Sequence, residues 1–181
     1  ILDYSLWCVI SHGVFFKHFN DIDFLKENWS AIVNVLDWYL ARAEADGGFV
    51  KPVLYRKKHG VSTLCDWCFI DWVEVDKTSA LHMLFHWALT SAAELAKLVG
   101  DSQSQIRFTD AAQDLKSRIN NAAFDKRTGL YRGDISNCAS PPERHANFLA
   151  ILAGVAEKSM EKSIAEGLIA TDMAESGTPY M

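Results

Sequence analysis

No stretch of this sequence approaches the roughly 18 consecutive apolar residues that a membrane-crossing helix needs, so no membrane span is expected. A surplus of positive charge is missing too. Lys and Arg total 18 against 23 Asp and Glu, a net −5, which leaves no basic field to attract nucleic acid. Proline is scarce at 4 and glycine modest at 10, which excludes collagen-like and low-complexity chains. Cysteines number 4 in 181 residues, too few for a disulfide-stapled miniprotein. There is no glycine-rich phosphate loop and no G-x-S-x-G elbow, so no cofactor and no serine nucleophile are expected.

What is present suits one ordinary packed domain. Hydrophobic residues make up 49% and charged residues 23%, and a chain this long buries close to 70% of its unfolded surface. The 6 Trp and 12% aromatics stand out. Aromatics at that level suit large packed helices or a site that covers the apolar faces of sugar rings.

The cysteines are Cys8, Cys65, Cys68 and Cys138. Cys65 and Cys68 make a single C-x-x-C, and a structural zinc site wants a second pair or suitably spaced His. His82 and His86 share a helix face at i, i+4. The favoured reading is nonetheless four small buried thiols and no metal. No calcium loop of the usual spacing is visible.

Periodicity predicts six helices and no convincing strand: 3–17, 23–45, 78–99, 102–121, 140–154 and 157–169. Asp23 and Thr78 read as N-caps. Ser140-Pro141-Pro142-Glu143 reads as a capping box, with Ser140 the cap, proline in the first turn and Glu143 reaching back. The second helix carries one apolar stripe, Trp29, Ile32, Val33, Leu36, Tyr39, Leu40 and Ala43, and the fourth another, Phe108, Ala111, Ala112, Leu115 and Ile119. The first, third and fifth are apolar most of the way round, which predicts inner helices buried on all sides. Trp29, Trp38 and Trp87 fit helical core spacing.

Links from inner to outer helices are short, and those from outer to inner are long, at 46–77 and 122–139. Short links make antiparallel hairpins, so the long ones gather at the end where inner helices begin. Long ordered loops on a rigid scaffold are where sites are built. Inner helices recur about every 60–75 residues, the logic of a helix-pair array.

Several segments carry a family resemblance. Asp3-Tyr4-Ser5-Leu6-Trp7, followed by Asn20-Asp21-Ile22-Asp23-Phe24-Leu25, resembles the "DYSLWW … GDxxFL" stretch of the α-L-rhamnosidase type of six-hairpin glycosidase, glycoside hydrolase family 78. Phe69-Ile70-Asp71-Trp72 is similar to its "F-I/G-D-W" loop, and the segment from Glu94 to Asp101 to its "aaxLAxxLGd" helix ending. The segment from Arg144 to Leu152 resembles "QHANALAVL", with Arg144 where the family usually has Gln, and Ser176-Gly177-Thr178-Pro179-Tyr180-Met181 resembles "GTPYM/GTPYL".

The resemblance implies an all-α fold, about three of the six helical hairpins of an (α/α)6 toroid, with residues 1–181 as a single partial domain. It also implies removal of terminal α-L-rhamnose by an inverting acid–base mechanism. The family's "RDERxGWxGD" acid segment and its "TxWE"-like base segment are not in this sequence. The opening at Ile1 and the ending at Met181 read as those of an excised piece, so no catalytic carboxylate pair is expected within it. Asp66, Asp71, Glu74 and Asp76 share one loop and read as a solvated acidic segment in which Asp71 contacts sugar hydroxyls or fixes the loop.

The expected substrate-binding residues are Asp71, Trp72, Trp67, Asp3, Trp7, His145 and Tyr180, all placed by this layout toward the loop end. Asp3 reads equally as an N-cap, and His145 as a satisfied buried histidine. The expected partner is a rhamnose-containing glycoside, with self-association through exposed inner helices if the chain is a piece. Two rival readings stay open: another six-hairpin glycosidase or glycoside phosphorylase, and a non-enzymatic sugar-binding or scaffold module whose stable oligomer buries more than about 2,000 Å².

Overall fold

A computed structural model describes residues 2–51 and 78–170. Expectations for Asp66, Trp67, Asp71, Trp72, Glu74, Asp76, Tyr180, the Cys65/Cys68 pair and the "GTPYM"-like segment lie outside the described residues. Those described form helices α1 (Leu2–Phe19), α2 (Ile22–Ala45), α3 (Thr78–Val99) and α4 (Ser102–Ala123), strands β1 (Phe124–Asp125) and β2 (Leu130–Tyr131), and helices α5 (Arg144–Leu152) and α6 (Glu161–Ala170). The chain divides into two compact units, one of Ile1–Thr63 with Leu84–Leu115, the other of Leu64–Met83 with Lys116–Met181.

In the first unit, α1 turns into α2 at Asn20, whose φ of 51° is the left-handed conformation that ends a helix. The Asn20 amide closes on the Phe16 carbonyl at 2.8 Å. The cap of α2 is Asp21, accepting from the Phe24 amide at 2.9 Å. Asp23, the expected cap, lies within the first turn, because the chain has already become helical at Ile22. The predicted stripe of α2 is buried at Leu25, Ile32, Leu36, Tyr39 and Ala43. Tyr39 packs its ring 5.1 Å from that of Phe85 on α3. Trp38 is 40% exposed rather than core, because it falls one residue off that stripe. Gly100 at φ +83° lets α3 turn into α4, and Asp101 caps the new helix through the Ser104 amide at 3.0 Å.

The inner-helix pattern holds best for α3. Every residue from Thr78 to His86 is buried, and Leu81, Met83, Leu84 and Phe85 each contribute roughly 1.5–3 kcal/mol by burial. Among the described residues α1 is covered on one side only. Leu6, Val9 and Ile10 are buried, while Tyr4, Val14 and Phe19 are exposed. A groove of about 650 Å³ runs between Ile10, Val14 and Phe16 of α1 and Trp87, Leu95 and Leu98 of α3. α5 likewise leaves Phe148 and Leu152 exposed. A helix apolar all round needs neighbours all round, and these two lack them on one face within the described residues.

The second unit holds a feature the periodicity did not predict. β1 and β2 form a two-stranded antiparallel hairpin pairing Phe124 with Tyr131 and Asp125 with Leu130. Two-residue strands are too short for alternation to be legible. Its turn is closed by the Thr128 and Gly129 amides, both donating to the Asp125 carbonyl. α6 starts at Glu161, later than the expected 157, because Glu157 belongs to a turn accepting the Met160 amide and pairs with Lys116 at 3.3 Å.

Cys8 and Cys138 are exposed free thiols, not the buried ones expected. Among the described residues no helix is long and apolar enough to cross a membrane, and no cluster of His, Cys, Asp and Glu suits a metal.

Candidate functional site

The head of α1 is held by hydroxyl groups. Tyr39 Oη donates to the Leu2 carbonyl at 2.5 Å, and Ser5 Oγ donates to the same oxygen at 2.7 Å. Asp3 is buried within the first turn rather than standing as an N-cap, because α1 already begins at Leu2. A carboxylate there is favoured by the helix dipole. Trp7 is half-buried, its ring 5.8 Å from that of Trp87 at 67°, an edge-to-face pair. Tyr4, three residues before it, is 53% exposed.

In the second unit, the residue 132–143 loop is tied to the starts of two helices. Thr78 opens α3, and its hydroxyl donates to Asp134 Oδ1 at 2.9 Å while accepting the Ile135 amide at 2.9 Å. The Ser79 amide donates to the Gly133 carbonyl at 3.0 Å. Asp134 Oδ1 also takes the Ser136 amide, and Ser140 Oγ accepts the Asp134 amide. Ser140 is thus spent inside the loop and does not cap α5. Pro142 bridges Arg132, so the proline pair is extended and non-helical.

The cap of α5 is Glu143 itself. Its Oε2 accepts the Ala146 amide at 2.7 Å, and its Oε1 lies 2.6 Å from His145 Nδ1. Both side chains are buried. One turn on, buried Asn147 behaves like a length of strand: its Oδ1 accepts the Tyr131 amide, and its Nδ2 donates to the carbonyls of Tyr131 and Glu143, each at 2.8 Å. Tyr131 Oη donates to Asn120 at 2.6 Å, and burial, with the charge of Glu157, pushes its pKa up to about 12. His82 is fully buried on α3, and desolvation pushes its pKa down to about 4 against a smaller opposing effect from the Thr78 carbonyl.

Of the seven expected substrate residues, Asp3 and Trp7 stand at the head of α1 and His145 at the head of α5. Asp71, Trp72, Trp67 and Tyr180 lie outside the described residues. Asp3 and His145 are nearly inaccessible, at 0% and 1% exposure, whereas Trp7 keeps an open edge. The acidic groups of the 132–143 loop, Asp134 and Glu143, are engaged in turns and capping. Sequence reasoning passed over Glu143, Asn147 and Tyr39 as organisers of these helix heads. The Glu-x-His spacing at 143–145 is the signal that points to the Glu143–His145 contact, whereas Ser140-Pro141-Pro142-Glu143 reads in sequence as a capping box.

The helix order and these helix heads frame the comparison with known proteins. The family model for the bacterial alpha-L-rhamnosidase 6 hairpin glycosidase domain matches residues 4–179. The chain belongs to this family. It is a family of glycoside hydrolases, and the resemblance seen in the "DYSLW", "FIDW" and "HAN" segments falls, Asp3 apart, within the matched span.

A rhamnosidase from Klebsiella oxytoca with rhamnose bound has the same fold over 97% of this chain, with a TM-score of 0.76 and 22% identity. A family 78 rhamnosidase of Bacillus sp. GL1 also has a TM-score of 0.76 over 97% of the chain, at 20% identity. This chain spans 31% of the first protein and 18% of the second. No curated protein matches by sequence. The described residues of this rhamnosidase-type chain are thus all-α apart from the short hairpin, as befits a six-hairpin glycosidase domain.

Proposed function

We propose that the protein carrying this chain removes terminal α-L-rhamnose from glycosides by an inverting mechanism, and that residues 1–181 are a single partial domain forming part of the sugar pocket. The family match across residues 4–179 carries this reading. The bound rhamnose of the Klebsiella oxytoca protein supports the choice of sugar.

Inversion needs one carboxylic acid to protonate the glycosidic oxygen and a second carboxylate, about 6.5–9.5 Å away, to activate water. Asp134 and Glu143 are already committed to local hydrogen bonds. That removes Asp134 and Glu143 as candidates for the pair, and the acid and base are proposed to come from elsewhere in the intact protein. Trp7, with Trp67 and Trp72, supplies apolar faces suited to a deoxysugar. Asp71 and Tyr180 offer polar contacts, while buried Asp3 and His145 back the wall from within. The exposed apolar residues of α1 and α5 support self-association of the isolated chain.

The test is turnover of an aryl α-L-rhamnoside, with the first-formed anomer of rhamnose read by NMR. The intact protein is expected to release the β anomer, and the isolated 181-residue chain to release none. A retained α anomer, no turnover by the intact protein, or turnover by the isolated chain above a denatured control would each overturn the corresponding part.

A further inference from the structure

Glu143 does two things at once. One carboxylate oxygen caps α5 through the Ala146 amide at 2.7 Å, and the other grips His145 Nδ1 at 2.6 Å. The pair is withdrawn from water, with side chains 6% and 1% exposed. The preceding loop closes round it. The Glu143 amide donates to the Tyr131 carbonyl at 3.2 Å. Gly133 passes so near that a methyl group there would stand 3.0 Å from Glu143 Cβ and 3.3 Å from Cγ. Gly133 is itself held on both sides, its amide donating to the Pro141 carbonyl and its carbonyl accepting the Ser79 amide. The carboxylate therefore has little freedom to turn.

An ionised carboxylate accepts and never donates. A neutral imidazole bonded to it must carry its proton on Nδ1, which leaves the lone pair on Nε2. We propose that Glu143 is a positioning residue for the sugar site: it locks His145 in the Nδ1–H tautomer, so that Nε2 at the head of α5 is able only to accept. This rests on the reading that the head of α5 belongs to the pocket wall. The imidazole is buried, so its effect reaches the sugar through the wall it orders.

Glu143→Gln tests the lock. The amide keeps the size of the carboxylate, and its oxygen still caps Ala146. Its NH2 group now faces the imidazole and donates, so the ring proton must move to Nε2. Amide-for-carboxylate exchange behind a functional histidine is known to impose the wrong tautomer while leaving geometry intact.

In the intact protein, ¹⁵N NMR of the ring should report Nδ1–H in the wild type and Nε2–H in Glu143→Gln. The variant should melt close to the wild type. Its kcat/KM for an aryl α-L-rhamnoside should fall about tenfold or more, mainly through KM. Wild-type Nε2–H overturns the lock, a measurement that does not depend on the variant folding. A swapped tautomer with unchanged kcat/KM overturns the positioning role. A wild type that turns over no rhamnoside overturns the sugar-site reading and the positioning role with it, and is told apart because it precedes any substitution.

Discussion

His82 Nδ1 lies 2.6 Å from the carbonyl oxygen of Thr78, the first residue of α3, and donates its proton to it. Burial keeps this imidazole neutral, against the smaller opposing pull of the Thr78 carbonyl. Its pKa is pushed down to about 4 in the folded chain, against 6.5 when unfolded.

The sign of the pH effect follows. Between those values the unfolded chain binds the proton and the folded chain does not. Stability from His82 is complete above pH 6.5 and is lost as pH falls toward 4, by on the order of 3 kcal/mol in all. Urea denaturation at pH 7 and pH 4.5 should show that loss. His82→Gln keeps a donor for Thr78 without titrating, so it should flatten the pH dependence. An unaltered slope in the variant would show that another group is responsible.

Asn147 should be among the most sensitive single positions of the second unit. It satisfies the Tyr131 amide and the carbonyls of Tyr131 and Glu143 in a fully buried setting. Asn147→Ala orphans the Tyr131 amide and takes one of two donors from each carbonyl, which keep the Glu143 and Asn147 amides, at a cost of about 1–3 kcal/mol. Asn147→Asp keeps the acceptor but loses both donors, so it should rescue little. A loss below about 0.5 kcal/mol for the alanine variant, by chemical denaturation, would contradict the strand-like role.

Two glycines should respond in opposite senses. Gly133→Ala drives a methyl to 3.0 Å from Glu143 Cβ, and that crowding should destabilise by about 1–3 kcal/mol. Gly13, inside α1, has its nearest such contact at 3.9 Å from Ser91 Cβ, ordinary van der Waals distance. Gly13→Ala should therefore stabilise by about 0.5–1 kcal/mol through helix propensity. Thermal melts of both variants read the result; equal signs would refute the packing argument.

Asp101 links α2 to the cap of α4, accepting the Ser104 amide and the Trp29 indole N–H, each at 3.0 Å. The Ser104 amide, then its hydroxyl and the Trp29 indole, hold the carboxyl below its ordinary range. A depressed pKa means stability that is present above the ordinary value and lost as pH falls through the lower one. Asp101→Ala should lower the Tm by about 2–4 °C at pH 7. Asp101→Asn keeps the cap, and its deficit relative to wild type should shrink below pH 4. A deficit that stays constant into acid would show that the carboxylate charge is irrelevant.

The chain's own pattern determined the helix order. Stripes such as Leu25, Ile32, Leu36, Tyr39 and Ala43 repeat at helical spacing, and the burial of Leu81, Met83, Leu84 and Phe85 was readable because apolar residues run most of the way round α3, whereas the burial of Thr78, Ser79, His82 and His86 among them was not. The family was legible too, because segments such as Asp3-Tyr4-Ser5-Leu6-Trp7 and His145-Ala146-Asn147 are local strings. Helix ends and helix heads were decided by tertiary structure. A cap depends on where extended backbone becomes helical, so Asp21 displaced Asp23 and Glu143 displaced Ser140. Whether an apolar helix is covered depends on what packs against it, which periodicity does not encode: α3 is enclosed from Thr78 to His86, whereas among the described residues α1 and α5 keep an open face. The Glu143–His145 grip arises because the β2 side of the loop closes over α5, a contact made by Gly133 and Tyr131. Local strings specify local structure and family; hydrogen bonds between groups far apart in sequence exist only once the chain has folded.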